Sequence, residues 1–323
     1  MSGADFSQAI AAASEATPHR VARTAGRRLL VDGDALAYTC AGNNDCSPGQ
    51  ARVNLRERIR KALASSGADE VELLVTASGS HKGHRYAIAR AKPYQGQRSS
   101  GRRPKNWLYL RQLLEQGQAG YPTTLTHDLE ADDLFAHRSA ELGQDNIVIH
   151  TQDKDMRMVP GYHLDWNDFT LHHHDARCFR STAGGKTYGH AWFWEQMLHG
   201  DTADNIPGLP FYIEGVYSSG PNRGQPRLVL CGPKSTAVKG LEHITADDAA
   251  FEYVLNRYRT CYGSEAIAYM LEQACLLWMR RTPSVLDCTL PGGPLCGALR
   301  LDQAWVQEEI LARTKVAQLQ DIG

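Results

Sequence analysis

Apolar residues along this chain follow two rhythms, and these predict most of its elements. Short unbroken apolar runs bounded by charge or glycine read as strands buried on both faces. Arg27-Arg28-Leu29-Leu30-Val31-Asp32-Gly33-Asp34 contains the first such run, which ends in an acid and a glycine. Val71 to Val75 is a second, and Asn146-Ile147-Val148-Ile149 a third. Between the first two, Val53, Leu55, Ile59 and Leu63 recur near helical spacing over Ala51 to Leu63. Strand, helix, strand at this spacing is a crossover unit and predicts a parallel sheet. Leu134, Phe135, Ala140 and Leu142 mark a helix ahead of the third strand. Further on, the pattern predicts a hairpin over Tyr162 to Arg180 and an aromatic-rich helix over Ala191 to Leu198. Helices follow over 246–261 and 264–280, then a Pro/Gly/Cys-containing connector over 281–300 and a last helix over 302–319. Residues 1–26 read as a loosely ordered lead-in with a short helix near Phe6 to Glu15. No internal repeat is present.

Acidic residues gather at the ends of these elements. Glu130, Asp132 and Asp133 open the helix of Leu134 and Phe135; Asp153 and Asp155 follow the third strand; Asp201 and Asp204 follow the helix ending near Leu198-His199-Gly200. Asp32 closes the first strand. Each group alone has an ordinary explanation, as a favourable first helical turn, a cap or a turn former. Together, in this order at strand and helix ends, they fit one cleft at the edge of a parallel sheet. Two unit charges about 4 Å apart repel by about 4 kcal/mol at an effective dielectric near 20, so such a cleft needs cations. Hard oxygen ligands select Mg²⁺ or Mn²⁺ over zinc. A pair of such ions about 3.5–4 Å apart suits phosphodiester cleavage.

The formal net charge of −1 over 323 residues conceals strong segregation. From Leu73 to Leu114 there are nine Lys or Arg and no Asp or Glu: Lys82, Arg85, Arg90, Lys92, Arg98, Arg102, Arg103, Lys105 and Arg111. Tyr86, Tyr94, Trp107 and Tyr109 are interleaved with them, and Gly96, Gly101 and paired serines break the block, as two short helices around a flexible tip would. Basic groups with aromatics suit single-stranded nucleic acid, charge following the backbone and rings stacking on bases. A solvated basic face with ordinary core aromatics is the alternative. The eight cysteines contain no Cys-x-x-Cys pair and read as reduced, mostly packed thiols in a cytoplasmic protein. No apolar run approaches the ~18 residues that span a bilayer, and no secretory signal is evident.

Three tempting motifs carry less. His172-His173-His174 cannot easily chelate one zinc, because neighbours on a strand alternate faces, and it reads as an exposed turn. Gly184-Gly185-Lys186-Thr187 resembles half a phosphate loop, but Arg180 stands where its first glycine should be. Leu230 to Ala237 resembles a glycine turn into a helix N-terminus that can hold a DNA phosphate; a plain helix capped by Ser235 explains it equally. Before it, Leu209 to Gln225 is rich in Gly, Pro and Ser.

These residues together resemble the 5′-nuclease superfamily: flap endonucleases, phage 5′–3′ exonucleases and the 5′-nuclease domain of bacterial DNA polymerase I. Val31-Asp32-Gly33-Asp34-Ala35-Leu36-Ala37-Tyr38 looks like its first metal strand. Lys92-Pro93-Tyr94-Gln95-Gly96-Gln97-Arg98 is similar to its Pro-x-Tyr-Lys-x-Asn-Arg segment. Glu130-Ala131-Asp132-Asp133, Asp153-Lys154-Asp155 and Gly200-Asp201 to Asp204-Asn205-Ile206-Pro207-Gly208 match its central signature in order and approximate spacing. The resemblance covers about residues 27–280, most like a freestanding phage-type exonuclease.

It implies a PIN-like α/β fold: a central mostly parallel sheet with helices on both faces, a helical arch and a helix-three-turn-helix region. The lead-in would precede a catalytic domain over 27–200 with the arch at about 79–118, a duplex-binding region over 201–280 and a C-terminal helical extension over 281–323. Asp32, Glu130, Asp132 and Asp133 would serve one divalent ion, and Asp153, Asp155, Asp201 and Asp204 a second. Tyr38 would stack beside the scissile phosphate. Arg85 and Arg98 would hold the 5′ strand, with Lys92, Arg102, Arg103 and Lys105 as further contacts. Gly232, Lys234 and Ser235 would grip duplex DNA, with K⁺ as a monovalent partner. The implied activity is metal-dependent hydrolysis near DNA 5′ ends or flaps in replication or recombination, extending to RNA primers on an RNA–DNA hybrid. It needs no oligomer and no membrane, and would work in the cytoplasm, the host's if phage-encoded.

Three departures stand out. Where many relatives have an acid after the second strand, this chain reads Thr76-Ala77-Ser78-Gly79. Gln95 replaces a lysine. The interval Leu209–Leu230 separates the halves of the helix-three-turn-helix. A PIN-type endoribonuclease and a non-catalytic DNA-junction-binding protein are the rival readings.

Overall fold

The computed structural model of the protein describes residues 22–100, 103–210, 212–230, 234–297 and 304–321. The expected helix near Phe6 to Glu15 lies outside them. Six strands make the main sheet: β1 (Arg28–Asp32), β2 (Glu70–Thr76), β3 (Thr123–Thr126), β4 (Ile147–His150), β5 (Gly161–Leu164) and β6 (Leu171–His174). Their order is β3-β2-β1-β4-β5-β6. All pairs are parallel except β5 with β6, which closes one edge as an antiparallel hairpin. The strand order therefore reverses between β1 and β4, the place where an open α/β sheet leaves a crevice beyond its C-terminal strand ends.

Side chains of β1 alternate between two cores, as the strand period requires. Leu29 and Val31 pack with Leu36 of α1 (Gly33–Thr39), Leu55 and Ile59 of α2 (Pro48–Ser66) and Leu110 of α4 (Trp107–Glu115), which lies downstream of the short α3 (Arg85–Ile88). Leu30 faces the other way. It joins the core of Phe135 from α5 (Ala131–Leu142), Trp194 from α6 (His190–His199), Val254 from α8 (Asp247–Tyr262) and Leu271 from α9 (Ala266–Leu277). Helices thus cover both faces, as expected.

Local chemistry fixes the helix ends near the crevice. Ser47 accepts the Gln50 N–H at 3.1 Å, Pro48 occupies the first helical position, and Gly67 stops α2 at φ 68°. At the junction of β1 and α1, a Cβ on Gly33 would come within 2.6 Å of Val75 Cγ2 and 2.9 Å of Leu74 O. Glycine there lets α1 start directly against β2.

Several elements differ from expectation. β3 reads Thr-Thr-Leu-Thr, all half-buried, so this edge strand shows no apolar run. The predicted hairpin is β5–β6, and a second small hairpin follows it, β7 (Ser181–Ala183) with β8 (Lys186–Tyr188). The interval after Leu209 forms an antiparallel ribbon, β9 (Tyr212–Val216) with β10 (Pro226–Leu230), ahead of α7 (Lys234–Lys239). The three histidines lie on β6 rather than in an exposed turn. Pairing with β5 buries His174 and stacks His172 on His163, ring centroids 5.5 Å apart, beside Tyr188. Cys40, Cys46, Cys178, Cys275, Cys288 and Cys296 are free thiols, whereas Cys261 is disulfide-bonded, against the expectation of reduced cysteines throughout.

The C-terminal helix α10 (Ala304–Asp321) packs back on the basic segment. Arg313 Nη1 donates to Ile88 O at 2.8 Å and to Glu272 Oε2 at 2.9 Å, while Glu272 Oε1 accepts the N–H groups of Arg90 and Ala91. Among the described residues no helix is long and apolar enough to cross a membrane.

Candidate metal centre

Asp32 ends β1 with both carboxylate oxygens in use. Oδ1 caps α1 by accepting the Ala35 N–H at 2.9 Å, and Oδ2 accepts the Thr151 hydroxyl at 2.6 Å. Thr151 Oγ1 in turn accepts the Asp153 N–H at 2.9 Å, and Asp153 Oδ1 accepts the Asp155 N–H at 2.8 Å. The turn after β4 is thereby bolted to the end of β1 across the strand-order reversal. Asp132, in the first turn of α5, faces the same space.

The second group is tighter. Asp155, Asp201 and Asp204 each offer a carboxylate oxygen, and these oxygens lie within 4.8 Å of one another. Gln196 Nε2 steadies Asp155 at 2.6 Å. Lys154 Nζ reaches Asp201 Oδ2 at 2.6 Å and Asp155 Oδ1 at 3.2 Å, an internal cation that offsets part of the repulsion. Tyr94 Oη lies 2.8 Å from Glu130 Oε2 and 3.1 Å from Asp204 Oδ2, so one buried phenol connects the two carboxylate groups.

Asp201 and Asp204 ride on a loop closed at a neck. Asp201 and Ile206 exchange backbone hydrogen bonds at 2.8 and 2.7 Å, and Gly200 and Gly208 flank them at φ 70° and 63°. A Cβ on Gly200 would lie 2.2 Å from Ile206 O. Gly200→Ala is expected to cost roughly 1–3 kcal/mol from the left-handed φ alone, with the collision added. Urea denaturation measures this; an unchanged midpoint would show that the neck yields.

Burial dominates the electrostatics. It lifts the Asp32 carboxyl from 3.8 to about 7, with help from Asp34 and Asp153. Asp132 and Asp155 are held well above the ordinary range by burial and then by Asp153, and Asp153 itself is raised. For Asp201, burial is outweighed by the Lys154 ammonium, which holds its carboxyl down. In an unfolded chain Asp32 is ionised well below pH 7. Its raised value in the fold favours the protonated form, so metal-free stability is lost as pH rises through about 7. A divalent cation binds the ionised form and expels protons. Mg²⁺ is therefore expected to raise the melting temperature more at pH 8 than at pH 6. Near neutrality its binding should release protons, read by calorimetry in buffers of different ionisation enthalpy; a buffer-independent heat would contradict the raised carboxyls.

Two expected site residues play another part. Asp133 is fully buried and takes Arg85 Nη1 and Nη2 at 2.7 and 2.8 Å. It also accepts the N–H of Arg280 at 3.0 Å and that of Glu130 at 3.3 Å, closing the start of α5. Its lone pairs are committed inside the protein, which removes it from the metal set. Arg85 has no exposed surface and also donates to the carbonyls of Leu276 and Trp278. Buried and paired with Asp133, which stands 48 residues later in the chain, it cannot hold a DNA strand.

Other basic residues are likewise engaged. Lys82, Arg85, Arg90, Arg98 and Arg111, five of the nine, pair with Glu130, Asp133, Glu309, Asp204 and Asp34. Lys92 and Arg103 are exposed, Arg103 lying over the Trp107 ring at 4.1 Å, and Lys105 Nζ donates to Asn44 O. Tyr38 is 46% exposed, with its ring 5.6 Å from that of Trp107, available to a stacking partner. Arg102 and Gly232 lie outside the described residues; Lys234 and Ser235 begin α7.

Sequence reasoning passed over Asp34. From α1 it places a carboxylate at the end of β2, where Thr76-Ala77-Ser78-Gly79 lacks an acid. Asp34 Oδ1 accepts the Thr76 N–H at 3.3 Å and pairs with Arg111, and Thr76 Oγ1 accepts the N–H of Ala131 beside Asp132 at 2.8 Å. Its signal was the second acid of Asp32-Gly33-Asp34, in the first turn of α1.

No protein-family model matches this sequence, and no curated protein matches it. Solved structures do. The D15 protein of bacteriophage T5, co-crystallised with metal ions, is 16% identical with a TM-score of 0.51, covering 89% of this chain and 99% of that one. The T5 D15 flap endonuclease, in a pseudo-enzyme–product complex with DNA and metal ions, is 15% identical with a TM-score of 0.52, covering 90% and 99%. The fold is that of the T5 D15 protein.

Proposed function

We propose that this protein is a metal-dependent nuclease that hydrolyses phosphodiester bonds near DNA 5′ ends or flaps. One observation carries the reading: carboxylates from four separate stretches of chain converge beyond the strand-order reversal, three of them held above the ordinary carboxylate range by burial, with a basic segment across them. An all-carboxylate donor set fits hard divalent cations, Mg²⁺ or Mn²⁺. Two such ions supply positive charge for the attacking and departing oxygens of an in-line displacement.

The chain's own groups have distinct tasks. Asp155, Asp201 and Asp204 would hold one ion; Asp32, Glu130 and Asp132 would hold the other, with Asp153 between the sets. Tyr94 fixes the spacing of Glu130 and Asp204. Tyr38 offers a face to a base, and Lys92, Arg103 and Lys105 offer charge to backbone phosphates. The 201–280 region would grip duplex DNA, with K⁺ as a monovalent partner. The T5 D15 complex, which contains DNA and metal ions, supports DNA as substrate. Removal of RNA primers falls within the same chemistry.

End-labelled 5′-flap, nicked and blunt DNA, and single-stranded RNA, each incubated with Mg²⁺ or Mn²⁺, test the reading through product lengths. Cleavage near the 5′ junction is expected. Cleavage of RNA alone would favour a PIN-type endoribonuclease, and no cleavage with retained binding would favour a junction-binding protein.

A further inference from the structure

Among the described residues, five non-glycine residues have positive φ: Lys82, His84, Gln95, Phe169 and Asn205. Gln95 and Asn205 lie where the basic segment meets the Asp201–Ile206 loop, and Lys82 reaches Gln95. L-residues adopt this conformation at a cost, and they keep it where surrounding contacts over-determine it, often at functional sites. Here the contacts are on both sides of the junction. Gln95 N donates to Asp204 O at 2.9 Å, and Asn205 Nδ2 donates to Pro93 O at 2.8 Å.

The side chains of the two strained residues meet. Lys82 Nζ donates to Gln95 Oε1 at 2.6 Å and lies 3.2 Å from Glu130 Oε1. That bond fixes the amide orientation, so Gln95 Nε2 points the other way, 2.9 Å from Asp204 Oδ1 and 3.4 Å from Glu130 Oε1. The Lys82 side chain is 21% exposed, so its ammonium has one side in the cleft and one open.

We infer that Lys82 is a substrate-positioning residue: its ammonium, steered by Gln95 to the carboxylate cleft, receives the DNA phosphate next to the bond that is cut. The inference rests on the nuclease reading above. The geometry accounts for a glutamine at position 95. A neutral amide can accept from an ammonium and donate to two carboxylates at once, whereas a second ammonium there would repel the first.

Lys82→Met keeps the side-chain length and removes the charge. On 5′-flap DNA with saturating Mg²⁺ it is expected to cleave about 100-fold more slowly. Flap binding in EDTA should lose about one ion from its salt dependence. Gln95→Lys added to Lys82→Met restores the ammonium from the other end of the pair and should recover most of both losses. Parental cleavage and salt slope in Lys82→Met would overturn the assignment. So would losses that Gln95→Lys leaves unrepaired while the melting temperature falls, since that marks a purely structural lysine. If the parent protein neither binds nor cleaves any of these DNAs, it is the nuclease reading that has failed.

Discussion

Asp153→Asn is expected to slow Mg²⁺-dependent cleavage by about a thousandfold and to leave metal-free DNA binding unchanged. The magnitude follows from a metal ligand worth several kcal/mol, at about 1.4 kcal/mol per factor of ten. Asp153 carries this effect because it influences both carboxylate groups. Its charge raises Asp32, Asp132 and Asp155 alike, so it faces both groups of carboxylates. Asparagine keeps an oxygen for the Asp155 N–H, now 2.8 Å from Asp153 Oδ1, and the turn after β4 should persist. Single-turnover cleavage and flap binding in EDTA separate chemistry from affinity. Turnover within tenfold of the parent would remove Asp153 from the metal centre.

Asp133→Ala should act through stability instead, lowering it by about 3–5 kcal/mol with or without metal. The pair it breaks is wholly buried, and Arg85 would lose its two-pronged partner, keeping Glu130 Oε2 at 3.2 Å and the carbonyls of Lys82, Leu276 and Trp278. Arg85 outweighs burial in setting the Asp133 carboxyl, which lies below its ordinary value. Arg85→Met combined with Asp133→Leu removes both charges and should recover most of the loss, as apolar replacement of buried pairs commonly does. Urea denaturation of the three proteins reads the comparison. A single variant that stays as stable as the parent yet loses metal binding would return Asp133 to the metal set.

The chain disclosed its sheet and its acidic edge for the same reason. Buried parallel strands read as unbroken apolar runs, and their C-terminal ends are where acids such as Asp32 and Asp153 become visible against them. β3 escaped because an edge strand of threonines is half-solvated and carries no such run. The β9–β10 ribbon escaped because its glycines and prolines look like a loop.

The site was legible as a group and less so residue by residue. Glu130, Asp132 and Asp133 occupy one helical start, yet consecutive helical positions point about 100° apart. Asp132 therefore meets the crevice while Asp133 meets Arg85 inside the protein. No local pattern says which of two adjacent acids has a buried arginine waiting for it. The basic block misled in the same way: its acids exist, but they stand on other elements, at Asp34, Glu130, Asp204 and Glu309.

The strand-order reversal that brings β1 beside β4 has a kinetic consequence. Thr151 and Asp32 touch across 119 residues of sequence, and Asp201 joins from farther still. Closing loops of that length is slow, and contacts of high sequence separation form late on the way to the native state. A divalent cation therefore finds its ligands assembled only after the transition state has passed. It should lengthen the lifetime of the finished protein, by retarding its opening, without hastening its formation.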